Sequence, residues 1–290
     1  MMRPPDDPNR RVEADATERA RVAADQLSRV NGPLELHVAV LALLLPPGGE
    51  RAAHAWQIEC ASVPRAQALR DIVAGLPGAA RLPWFETLLA RLRSQPFAAR
   101  MSLLEAARRL MAARGNVRPI DRLHWLAMRQ LLGDAAGASA PARAATSMSQ
   151  LPQADVLAIA AFCAFLSRMV PVAKTEALAA PAEAPAAADP GAAWYDSVMA
   201  PWAHRAEAPP LTPPDTDGIV HALHALQALT WMQRPVLARG WVSAAQQHSR
   251  DGRLSQSAAD ALRLSCTLLD SPLPPELARY YSASTSEAPP

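Results

Sequence analysis

The chain is 290 residues long, half of them apolar, with a formal net charge of +2. Ala and Leu dominate while aromatic and β-branched residues are scarce, which favours helix over sheet, and the small, evenly spread charge gives no electrostatic footprint for nucleic acid. The three cysteines, Cys60, Cys163 and Cys266, are far apart and lack CxxC spacing, so a disulfide framework or a cysteine zinc site is excluded and buried thiols are expected.

The opening MMRPPDDPNRR is polar and Pro-rich and does not read as a signal peptide. A charged helix is expected over 13–30, ended by Asn31-Gly32-Pro33. A short apolar helix follows to Leu45 and stops at Pro46-Pro47-Gly48-Gly49. Two short helices are expected over 50–61 and 65–74, then a turn at Leu76-Pro77-Gly78. Leu82-Pro83 opens a helix striped with Trp84, Leu88, Leu89 and Leu92. Ser94-Gln95-Pro96 breaks it. Residues 103–133 then read as two amphipathic helices around Arg114-Gly115-Asn116-Val117-Arg118-Pro119, with Gly115 as a left-handed cap and Pro119 in the first turn of the second helix.

Residues 134–149 are small and polar, without periodicity. A strongly apolar helix is expected over 153–169, and 174–193 is low-complexity Ala/Pro/Glu that offers little apolar surface against ordering entropy. An amphipathic piece carries Trp194, Met199 and Trp202. Asp215 or Asp217 can cap a helix over about 218–232, followed by helices over 235–248 and to about Leu269, with a stop at Asp270-Ser271-Pro272. The turn at Asp251-Gly252-Arg253-Leu254 echoes the one at Gly115. Both have Gly, any residue, an apolar residue and a helix start, and the paired leucines Leu131-Leu132 and Leu268-Leu269 follow at matching distances. The expected architecture is therefore all-α: short helical hairpins in an N-terminal lobe (13–133) and a C-terminal lobe (194–275), joined by a linker (134–193) that contains the apolar helix. The two most apolar stretches, 34–45 and 156–166, are shorter than the roughly 20 residues needed to span a bilayer.

The Gly-x-Val/Leu turn between helices, with Ala-Ala upstream, resembles the TerB-like tellurite-resistance helical domain. That family shows Asp-Gly where the first copy here has Arg114-Gly115; the second copy keeps Asp251-Gly252. Leu82-Pro83-Trp84-Phe85-Glu86-Thr87-Leu88-Leu89, then Pro96, Arg100 and residues 103–133, are similar to the helical tail of bacterial HtpX-like zinc metallopeptidases, a likeness covering residues 3–133 and more weakly 194–275. Such peptidases need HExxH, two histidines four apart on one helix face with a glutamate beside the first. None of His37, His54, His124, His204, His221, His224 and His248 forms such a pair. The resemblance thus implies the tail without the peptidase, with zinc expected only where a peptidase domain accompanies it.

His221 and His224 share a helix face after Asp215 and Asp217, and with Asp251 form the candidate metal ligands. No G-x-S-x-G elbow or phosphate loop is present. Cys60, near His54, reads as a core thiol. Arg108, Arg109, Arg114, Arg118 and Arg122 cluster around the Gly115 turn and read first as a solvated helix face, and in the sharper alternative as a surface for an acidic partner or anionic head group. Trp84, Trp125, Trp194, Trp202, Trp231 and Trp241 are expected to pack the core; partial exposure of Trp194 and Trp202, beside the linker, would make those two the candidate partner anchors. The expected function is a non-catalytic interaction or regulatory module, cytoplasmic or membrane-associated through its partner, serving a membrane metallopeptidase in cis or in trans. The alternatives are a fragment of a longer metalloendopeptidase and a TerB-like cation-binding stress protein.

Overall fold

The structure is a computed structural model that describes residues 8–46, 49–133, 147–170, 189–204, 211–249 and 252–283. It is all helical, with no strand among the described residues. The helices are α1 (Pro8–Ser28), α2 (Pro33–Leu43), α3 (Glu50–Glu59), α4 (Ala66–Ala74), α5 (Gly78–Leu92), α6 (Phe97–Ala112), α7 (Pro119–Leu132), α8 (Gln153–Leu166), α9 (Pro190–Met199), α10 (Thr216–Gln227), α11 (Gln233–His248), α12 (Gln256–Leu268) and α13 (Pro275–Ala283). The described residues fall into two compact units, one within 1–117, 131–136 and 281–290, the other within 118–130 and 137–280.

In the first unit α2 is the centre. Seven of its eleven residues are buried, from Leu36 to Leu43, and α4, α5 and α6 pack on it. A helix apolar on every side must be enclosed by others. Its far end is closed by arginines from later in the chain: Arg81 donates to the carbonyls of Ala42, Leu43 and Leu45 at 3.1–3.3 Å, and Arg114 donates to that of Leu44. These carbonyls lie at the negative end of the helix dipole, and that of Ala42 also accepts from the Leu45 N–H. Trp56 of α3 is fully buried beneath the guanidinium of Arg70, 5.4 Å from the ring centroid.

In the second unit α8 plays the same part. Ten of its fourteen residues are buried, and α9 and α10 pack on it. Phe162 meets Trp241 of α11 at 5.7 Å between ring centroids. Gly191, at the start of α9, lies so close to the Ser167 carbonyl that a Cβ there would overlap it.

Several boundaries differ from the sequence expectation. α5 begins at Gly78, with Pro83 inside it, because burial of Ala80 and Leu82 outweighs the cost of an interior proline. The apolar helix 153–166 is a core element of the second unit, not part of a linker. Arg118 to Gln130 likewise count with the second unit, so the division falls within the Gly115 turn. A further helix, α13, follows the stop at Pro272; Pro275 at its first position followed by Glu276 is a helix start. Gly115 and Gly252 do adopt positive φ, +82° and +65°, as the two turns require. Asp215, not Asp217, caps α10, its carboxylate accepting from the Gly218 N–H at 2.8 Å.

Candidate interaction surface at the corner between α10 and α11

The segment Thr230-Trp231-Met232-Gln233 is a reciprocal cap. The Thr230 N–H donates to Gln233 Oε1 at 2.9 Å, and the Gln233 N–H donates to Thr230 Oγ1 at 3.3 Å. This is the box in which a hydroxyl residue and a Glu or Gln three positions later satisfy each other's free N–H groups. Behind it lies the buried side chain of Arg234. Its guanidinium donates to the carbonyls of Gln227 (2.7 Å), Leu229 (2.9 Å) and Leu269 (3.0 Å). Gln227 adds two donations, to the Leu268 carbonyl at 2.8 Å and to Gln130 Oε1 at 2.9 Å. The corner is therefore held by buried polar bonds on its inner side, which fixes what stands on its outer side.

On that outer side stand Trp231, 77% exposed, Met232, 60%, and Val236, 56%. Pro235 sits in the first turn of α11, where a missing N–H is tolerated. At 3.6 residues per turn, Met232, Val236, Arg239, Gly240, Ser243 and Gln247 lie within an arc of about 100°, and all six are exposed. The three apolar side chains expose on the order of 400 Å², a size at which patches on monomers are often functional.

The core expectation holds for Trp194, Trp202 and Trp241 and fails for Trp231. Trp194 and Trp202 are buried and so are not partner anchors; each indole N–H finds an internal carbonyl, Trp194 donating to Trp241 O at 3.1 Å and Trp202 to Met148 O at 2.8 Å. Trp231, expected in the core, is outside. In the sequence this corner is marked by Thr230-x-x-Gln233, a box that ends α10 before Met232.

His221 and His224 are both exposed on α10. Asp251 lies outside the described residues. Among the described residues no group of three or more His, Cys, Asp or Glu side chains is placed to hold a metal. The arginines near Gly115 do not form one free set. Arg108 is exposed, but Arg109 is bound bidentately to Glu59 at 2.5 and 2.9 Å. Arg114 turns to the end of α2. Arg118 grips the buried Asp121 carboxylate at 2.9 and 3.2 Å, and Arg122 is half-buried. Like Arg234, several of these side chains serve main chain and carboxylates within the fold.

All three thiols are free and buried. Burial, with Glu59 adding to it, pushes the Cys60 thiol up to about 12, the opposite of an activated nucleophile. Ser197 and His248 Nε2 meet at 2.6 Å. Both stand near helix C-termini, in α9 and α11, where the helix dipole opposes a developing oxyanion. The pair joins two helices. No helix among the described residues is long and apolar enough to cross a membrane. No protein-family model matches this chain, and neither a curated protein nor a solved structure does.

Proposed function

We propose that the chain is a non-catalytic helical interaction module whose partner docks at the Trp231 corner. The observation that carries this reading is a large aromatic side chain held out to solvent beside two further apolar residues, on a turn braced from within. Leaving such a surface in water is unfavourable by roughly 25 cal/mol per Å², and a Trp flanked by apolar residues is the composition of an interface hot spot. The resemblance of residues 3–133 to the tail of HtpX-like peptidases makes a membrane zinc metallopeptidase the partner class to test, in cis or in trans.

The test is binding of the purified full chain to a detergent-solubilised HtpX-like peptidase, followed by interferometry. Saturable binding that weakens at least about tenfold in Trp231→Ala and Val236→Asp is expected. Equal binding by parent and variants would remove the corner from the reading. Casein cleavage by the chain alone, with zinc added, would overturn its non-catalytic character.

A further inference from the structure

Resting on that reading, we infer that the occupant of the Trp231 corner is an acidic amphipathic helix, laid along the exposed face of α11. The first argument is shape. The exposed face runs from Met232 to Gln247, about 24 Å at 1.5 Å per residue. Its apolar anchors, Trp231, Met232 and Val236, gather at one end. Gly240 and Ser243 follow on the same face, and a Cβ added at Gly240 would meet nothing within 4 Å. An apolar end followed by a small-residue track is the relief into which one helix of about four to five turns settles.

The second argument is charge. From Gly218 to Arg250 the sequence has no Asp or Glu, a run of 33 residues containing three arginines and three histidines. Of the two arginines in α11, Arg234 is buried in the corner. Arg239 is exposed in the middle of the face, with no ion pair among the described residues. An occupant carrying carboxylates near Arg239 therefore meets no like charge on this hairpin and finds an opposite one. Because charged groups set partner choice more than raw affinity, Arg239 is the residue that distinguishes acidic from basic helices.

The same charge decides against a second copy of the chain. Two α11 helices packed antiparallel about Gly240 would bring the two Arg239 guanidinium groups near the symmetry axis, with no carboxylate on either helix to separate them. Like charges so placed disfavour the pairing. The apolar patch is also about half the roughly 800 Å² per partner of a standard stable interface, enough for a single helix but not for a lasting dimer of this face alone.

The experiment uses the full chain and two fluorescent 18-residue amphipathic peptides with the same Leu/Ala stripe, one flanked by Glu and the other by Lys, read by anisotropy. The Glu peptide should bind at least about tenfold tighter than the Lys peptide. Arg239→Glu, an exposed position, should reverse that order, and Val236→Asp should abolish both. Circular dichroism of each variant verifies that the fold is kept. Equal affinity for both peptides, or an order unmoved by Arg239→Glu, would overturn the inference. If the peptidase still binds through Trp231 in that case, the docking corner stands and only the acidic occupant falls. A dimer in sedimentation equilibrium that is lost in Val236→Asp would overturn it in favour of a second copy.

Discussion

Replacing Arg234 by Met keeps most of the side chain's stem and removes only its charge and donors, so it isolates what the guanidinium does. Three main-chain carbonyls, of Gln227, Leu229 and Leu269, lose a donor at 2.7–3.0 Å. Hydrogen bonds to a charged group contribute about 1.5 kcal/mol each, so the three together contribute about 4.5 kcal/mol. The carbonyls lie at or just past the ends of α10 and α12, where water can reach part of the vacated space and recover about 1 kcal/mol. The expected loss is about 3.5 kcal/mol. Arg234→Lys should lose about 2 kcal/mol, because an ammonium is a point donor and cannot spread over three carbonyls. Urea unfolding by circular dichroism measures the loss, and amide hydrogen exchange should place it in α10, α11 and α12. A Met variant within about 0.5 kcal/mol of the parent would refute the claim that Arg234 braces the corner.

Burial holds the His37 imidazole below its ordinary value, and its buried Nε2 has no hydrogen-bond partner among the described residues. Its native pKa is therefore below its unfolded one. The stability it allows is full above the ordinary value near 6.5 and falls as pH drops below that toward the native value; His37→Leu should flatten this part of a stability–pH curve, and an unchanged slope would count against the burial argument. The hydrogen bond from Arg109 holds Glu59 below its ordinary value against the opposing effect of burial. That stability is present above the ordinary value near 4.5 and is lost as pH falls through the native value, so Glu59→Gln should lose the most acidic limb and leave the His37 limb in place. Gly240→Ala should stabilise the chain by about 0.5–1 kcal/mol, since the position is helical and open, whereas Gly191→Ala should cost more than about 2 kcal/mol by driving a methyl into the Ser167 carbonyl; thermal melts compare the two. Native Cys60, with its thiol pushed up to about 12, should react with iodoacetamide at pH 8 roughly a thousandfold more slowly than an unfolded thiol, and comparable rates would contradict its burial.

Helical class and the main turns were legible because they rest on local chemistry. Gly115 and Gly252 occupy backbone conformations that glycine favours, and the apolar runs of α2 and α8 can only be enclosed. What could not be read was which long side chains turn inward. Arg81, Arg114 and Arg234 look in sequence like solvated charges, yet each closes carbonyls from residues 35 or more positions away. Distances of that kind follow from packing, not from spacing. The same limit applies to tryptophan: burial of Trp194 and Trp202 depends on carbonyls of Trp241 and Met148, and no local pattern marks those pairings. Trp231 was the exception, since the Thr230–Gln233 box that turns it outward is a four-residue signal.

The most direct test of the docking corner is the affinity of the full chain for a detergent-solubilised HtpX-like peptidase, compared between parent and Trp231→Ala. The account predicts saturable binding that weakens at least about tenfold on loss of the indole. Absence of binding by the parent, or equal binding by both, would contradict it.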